Sequence, residues 1–124
     1  MRDRGFTLLE LLFVLVIVAL LASIVGPVMT GSIGHAREAA LKQDLVVIRK
    51  AIDDYYADRG HYPVELSELV ERHYLRFLPV DPVTERQDGW FVVHQETSKG
   101  AGGVIDIHTR SDLKSSDGSA YRDW

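Results

Sequence analysis

Apolar positions divide this chain into a continuous block and a periodic remainder. Between residues 6 and 29 only Glu10 carries a formal charge, and Thr7, Ser23, Gly26 and Pro27 are the other interruptions. At ~1.5 Å per helical residue the block is roughly 36 Å long, enough to cross a hydrocarbon layer of about 30 Å. Leu, Val, Ile and Ala fill it, and a helix is the way such a segment satisfies its backbone in lipid. Arg2 and Arg4 precede it, which places the N-terminus on the cytoplasmic side by the positive-inside bias.

After the block the pattern becomes periodic. Leu41, Leu45, Ile48, Ile52 and Tyr55 recur at steps of four and three, predicting an amphipathic helix over 35–59 that ends at Gly60. Pro27 lacks a backbone donor and clashes with the preceding turn, so a bend is expected near Gly26-Pro27, with Gly31 and Gly34 loosening the helix further. A kinked helix and a plain linker at the membrane exit both fit that segment. His61-Tyr62-Pro63 turns the chain, and a short second helix follows over 65–73 with Leu66, Leu69 and Val70 inward. Residues 76–82 read as an extended loop. Asp88-Gly89 marks a turn before a strand over 90–95, and 104–108 reads as a second, antiparallel strand. The Gly-rich run 99–103 reads as a flexible loop without a phosphate-binding pattern. The polar tail, 109–124, ends in Trp124, which is expected to dock on the sheet. The fold class is α+β: a long N-terminal helix with a small antiparallel sheet packed on its C-terminal half.

Composition narrows the function. The chain has 124 residues and a net charge of -4, with no basic stripe, which argues against nucleic acid as a partner. Outside the apolar block roughly 95 residues remain, enough for one small domain with a modest core. There is no Cys, so no disulfide staples the tail. His35, His61, His73, His94 and His108 are scattered without metal-ligand spacing, and no Ser sits in a nucleophile elbow. Asp53 and Asp54 are successive helical positions that point apart. An enzyme is not expected.

Two features distinguish the block from an ordinary anchor. A secretory signal is cut after its apolar run, whereas here the well-marked boundary is Gly5-Phe6, before it. Glu10 is the other: a carboxylate at the centre of a membrane helix costs roughly 2.5–3.5 kcal/mol on insertion scales. Either Glu10 lies close enough to the end to reach headgroups, or it pairs with a cation from another chain.

Gly5-Phe6-Thr7-Leu8-Leu9-Glu10 followed by an apolar helix resembles the N-terminal signal of the type IV pilin-like family, closest to the major pseudopilins of type II secretion systems. The similarity is tightest to Met29, extends through Asp58-Arg59-Gly60-His61-Tyr62-Pro63 and Asp81-Pro82, and loosens beyond. It implies a cleaved leader (1–5), a transmembrane and filament-core helix (6–29) and a periplasmic globular domain (30–124) that includes the second half of the long helix. It implies that a prepilin peptidase cuts after Gly5 and that Phe6 is then N-methylated. Glu10 becomes the assembly residue and Pro27 the helix-kinking proline. The physics is compatible. Cleavage creates an α-amino group with a pKa of about 8, and Glu10 lies one helical turn further on.

The implied role is a subunit of an inner-membrane-derived periplasmic pseudopilus. Its partners would be further copies of itself, the peptidase and methyltransferase, an assembly platform, minor pseudopilins and, before assembly, membrane lipid. The Cys-free tail favours the secretion branch over a type IV pilus subunit, the second reading. A membrane-tethered periplasmic binding module that never polymerises is a third; it needs a concave pocket and leaves Gly5 and Glu10 unexplained. The resemblance also implies a Ca²⁺ site in the tail, with Asp112 and Asp117 as ligands near Ser115, Ser116 and Asp106. Read from its residues alone, the same loop is equally a polar turn.

Processing is directly measurable. Intact-mass spectrometry of membrane fractions is expected to show a chain beginning at N-methylated Phe6, and a bulky replacement at Gly5 is expected to block the cut. Functional protein that retains Met1 would contradict this.

Overall fold

The computed structural model describes residues 4–124, apart from the side chains of residues 27–30. The start of the leader and the proposed kink at Pro27 therefore lie outside the described residues. The chain comprises α1 (Leu8–Arg59), α2 (Ser67–Glu71), β1 (Trp90–Thr97), β2 (Gly100–Thr109) and a 3-10 turn (Tyr121–Asp123). It divides into two compact units, Met1–Gly34 and His35–Trp124.

In the first unit, the start of α1 has a local cause. The backbone N–H of Glu10 donates to Thr7 Oγ1 at 3.2 Å, the N-cap half of a Thr-x-x-Glu capping box. Glu10 also sits in the first turn, where the helix dipole favours an acid. The apolar side chains that follow, from Leu8 to Val25, are exposed. Gly31 and Gly34, expected to loosen the helix, lie within α1.

In the second unit the predicted stripe is the core. Leu41, Leu45, Ile48, Ala51, Ile52 and Tyr55 are buried, against Leu66, Leu69, Leu75, Trp90, Val104, Ile107 and Tyr121. An isolated two-stranded hairpin is marginal in water, so β1 and β2 depend on this helical stripe. They pair antiparallel, with Trp90 opposite Thr109 and Val92 opposite Ile107. Trp90 and Ile107 are buried, while Phe91, next to Trp90 in β1, stays exposed, the alternation of a one-faced sheet.

The structure departs from expectation in two places. α2 is shorter than 65–73. The N–H of Tyr74 bonds to the carbonyl of Leu69 at 2.8 Å and that of His73 to Val70 at 3.1 Å, closing the helix in a Schellman arrangement. His73, with φ 65°, takes the left-handed position usually given to glycine. The run 99–103 is mostly strand rather than loop. Gly100, at φ 116°, follows a tight turn, and β2 continues through Gly102 and Gly103. Gly103 has a steric reason: a Cβ there would lie 2.7 Å from the carbonyl oxygen of Tyr62. That closeness lets the Val104 N–H reach the Pro63 carbonyl at 2.7 Å.

Asp81 is the buried polar anchor of the long loop. Its carboxylate accepts from the backbone N–H of Val83 at 2.8 Å and from the Thr109 hydroxyl, tying the loop to the end of β2. Trp90 Nε1 donates to the Pro79 carbonyl at 2.8 Å, a second tie from the same loop.

Gly103→Ala is expected to force the segment around Tyr62 away from β2, costing about 1–3 kcal/mol. Each 1 kcal/mol lowers the melting temperature of a domain this size by roughly 4–8 °C, which a thermal melt resolves. An unchanged melt would contradict the close approach.

Candidate functional site

Two regions hold the candidate residues. In the first, Gly5 and Phe6 precede α1 and are exposed, Phe6 at 86%. Glu10 is exposed on the first turn of α1. Among the described residues no hydrogen bond or ion pair engages its carboxylate. Its backbone N–H is engaged by Thr7, so the two ends of this residue have separate jobs: the main chain caps the helix and the side chain faces outward. α1 is long and apolar enough to cross a membrane.

The second region is the tail. Residues 114–120 form a small reversal: Lys114 bridges to Ala120, the Ser115 N–H donates to the Ser119 carbonyl at 2.8 Å, and Gly118 turns at φ 88°. Asp117 is directed into this reversal. It accepts from the Ser115 hydroxyl, from Ser119 N–H at 2.8 Å and from Ser119 Oγ at 2.6 Å. Those hydroxyl hydrogen bonds, from Ser115 first and then Ser119, lower its pKa to about 2; the Lys42 charge adds a smaller effect. Asp112 sits apart, its side chain 90% exposed and 3.6 Å from Arg122 Nη1. The two carboxylates expected to share a cation thus have separate partners. Among the described residues, no three His, Cys, Asp or Glu side chains gather around one point. Asp106, expected nearby, instead accepts from Arg49 Nε at 2.7 Å.

Three residues outside the sequence prediction fasten this tail to α1. Glu38 accepts from the Ser116 N–H at 2.6 Å, Ser116 Oγ at 2.8 Å and the Tyr121 hydroxyl at 2.9 Å. The Ser116 hydrogen bonds, main chain first, hold the Glu38 pKa below its ordinary value. Burial, then the hydrogen bond to Glu38, raises that of Tyr121. Lys42 places its ammonium 4.5 Å from the centre of the Trp124 ring. Arg49 donates to the main-chain oxygens of Ile107 at 3.0 Å and Trp124 at 2.8 Å. Trp124 therefore docks against α1 as well as against β2, where His108 Nδ1 lies 2.7 Å from its main-chain oxygen. Positions 38, 42 and 49 lie at helical spacing beside the apolar stripe, a signal visible in the sequence once the tail is known to return to α1.

On the outer face of the sheet, Phe91, His108, Thr109, Arg110, Arg122 and Asp123 line an open hollow of about 430 Å³.

Comparison with known proteins bears on the N-terminal region and on the chain as a whole. Residues 1–26 match the family model described as the prokaryotic N-terminal methylation motif. The chain is 36% identical over 114 residues to the type II secretion system core protein G of Klebsiella michiganensis, covering 85% of this chain and 80% of that protein. It is 36% identical over 122 residues to that of Klebsiella pneumoniae, covering 86% and 82%. It is 33% identical over 123 residues to that of Vibrio cholerae, covering 87% and 80%. No solved structure matches.

The tail contacts carry a pH signature. Because the folded pKa values of Asp117 and Glu38 lie below their ordinary values, their stabilisation is present above the ordinary carboxylate range. It is lost as pH falls, for Asp117 through about 2. Amide exchange at Ser116 and Ser119, followed by NMR, is expected to accelerate beyond its intrinsic pH dependence over that acid range. Asp117→Asn should weaken the effect at Ser119 and spare Ser116.

Proposed function

We infer the function from one premise: this chain belongs to the family of the type II secretion system core protein G. It is a structural subunit of the pseudopilus in type II protein secretion. The observation that carries this reading is the N-terminal methylation motif leading into an uncovered apolar helix whose early turn bears a single acid. We propose the finer steps as follows.

The leader is removed after Gly5 by a prepilin peptidase, and Phe6 becomes the methylated N-terminus. Before assembly the 6–29 helix spans the inner membrane once, with its N-terminus cytoplasmic and the globular domain periplasmic. Arg2 and Arg4 set that direction. Assembly replaces lipid around the helix with the helices of other copies. The Glu10 carboxylate of an incoming subunit then meets the Phe6 amine of a neighbour. Both groups are costly to leave unpaired in an apolar medium, so contact at this one position fixes the axial register. An assembly platform drives the process and minor pseudopilins are further partners. Pro27 lets the helix bend as it leaves the bilayer.

The role is structural, and no catalytic step is assigned to any residue. The relatives' names favour secretion over a surface pilus. A tethered binding module would give Gly5 and Glu10 no purpose.

Glu10 tests the reading. Glu10→Leu removes the acid, and insertion is expected to stay intact or improve. Association between subunits is expected to weaken by about a hundredfold or more, because the amine is left unpaired. Glu10→Gln keeps the capping-box pattern and removes the charge, so it should share the assembly defect. Wild-type filament yield from both variants, measured by shearing and electron microscopy, would overturn the pairing role.

A further inference from the structure

The family resemblance implies a cation in the tail, and the residues present do not fit one as they are arranged. A Ca²⁺ ion takes six to eight oxygen ligands, usually including several carboxylate oxygens. Asp117 already receives hydrogen bonds from Ser115 and Ser119, and Asp112 lies against Arg122. Positive charge is already supplied by the protein. Lys42 stands over Trp124, and its charge reaches Asp117. Glu38, one helical turn before Lys42, gathers the Ser116 main chain, the Ser116 hydroxyl and the Tyr121 hydroxyl onto one carboxylate.

We propose that Glu38 and Lys42 together fasten residues 111–124 to α1, in place of a divalent cation, and that the chain takes up no Ca²⁺ there. The carboxylate acts as the gathering point that a metal would provide, with the donor and acceptor roles reversed. A metal ion collects oxygen acceptors, whereas Glu38 collects one N–H and two O–H donors. Hydrogen bonds to a charged acceptor are the stronger kind, and three of them converge here from two points of the tail. Lys42 covers the other end of the same segment through the indole face, while Arg49 holds the main-chain oxygen of Trp124 at 2.8 Å. A tail without disulfides is thereby closed by side chains of one helix face. The rest of the carboxylates follow from this arrangement: Asp117 has only its own reversal to shape, and Asp112 is left at the surface.

The proposal stands on tail geometry and is independent of the filament reading, whose test measures assembly. The experiment uses the full chain in detergent micelles, with Ca²⁺ at millimolar excess or with a calcium chelator. Two quantities are read: the melting temperature, and amide exchange at Ser116 and Tyr121. For the wild type, both are expected to be the same in the two buffers. Glu38→Gln is expected to accelerate exchange at those amides roughly tenfold in either buffer, since it removes a charged acceptor. Tyr121→Phe keeps the ring and removes one donor, so it should show a smaller acceleration even if Glu38→Gln does not fold. A Ca²⁺-dependent rise of several degrees in the wild type that Asp117→Asn abolishes would overturn the proposal. Unchanged exchange in both Glu38→Gln and Tyr121→Phe would overturn it as well.

Discussion

The apolar side chains that clothe α1 between residues 8 and 25 are exposed, and this surface cannot remain in water. Each square ångström left there costs about 25 cal/mol, and the run is continuous on all sides of the helix rather than confined to one stripe. An ordinary soluble domain covers such a helix with its own chain. Here the cover must come from outside; on the proposed reading it is lipid before assembly and other copies afterwards. That requirement explains why the segment admits so few polar residues, and why its one acid stands out. On the same reading Glu10 is an expense in lipid and, beside a neighbour's amine, a means of recognition. Exchanging lipid for other copies would then select register at the same step that builds the filament.

The remainder of the chain solves a smaller problem with the same helix. Two strands alone would not hold together, so the second part of α1 lends them a buried stripe from Leu41 to Tyr55. Polar fasteners then secure what the small core does not reach. Asp81 ties the long loop to the end of β2, Glu38 and Lys42 hold the tail, and Arg49 joins Asp106, Ile107 and Trp124. Each of these is a hydrogen-bonded or charged contact between distant parts of the chain. In a sequence with no Cys they serve as its cross-links.

What the sequence made legible, and what it hid, follow from range. The core stripe of α1 was readable because helical periodicity is local, and the N-terminal motif was readable because its spacing is. The strands were found near their true positions for the same reason. The glycines of 100–103 misled because only Gly100 turns the chain; Gly103 is small so that Tyr62 can pack against it, a contact made across about forty residues. Glu38 was missed because its partners lie 78 and 83 residues away, where no pattern rule reaches. The resemblance implies a metal role for Asp117, while a carboxylate in a Ser- and Gly-rich reversal also suits a turn, and the two readings differ only in three-dimensional partners. Thr7 and Glu10 form a capping-box pattern that the functional reading of Glu10 obscured.

The central claim is that copies of this chain cover one another's apolar helices in a staggered, extending contact. The absence of native Cys allows a direct test by paired cysteines introduced along residues 8–25 and oxidised in the membrane. Disulfides form only where Cβ atoms approach to about 4 Å, so bridging reports true helix contact. A heterologous contact does not close on itself, and the account predicts a ladder of covalent multimers for at least one pair, lost when Glu10 is replaced by Gln. Monomers alone at every pair, in membranes where wild-type chain accumulates and secretion proceeds, would contradict it.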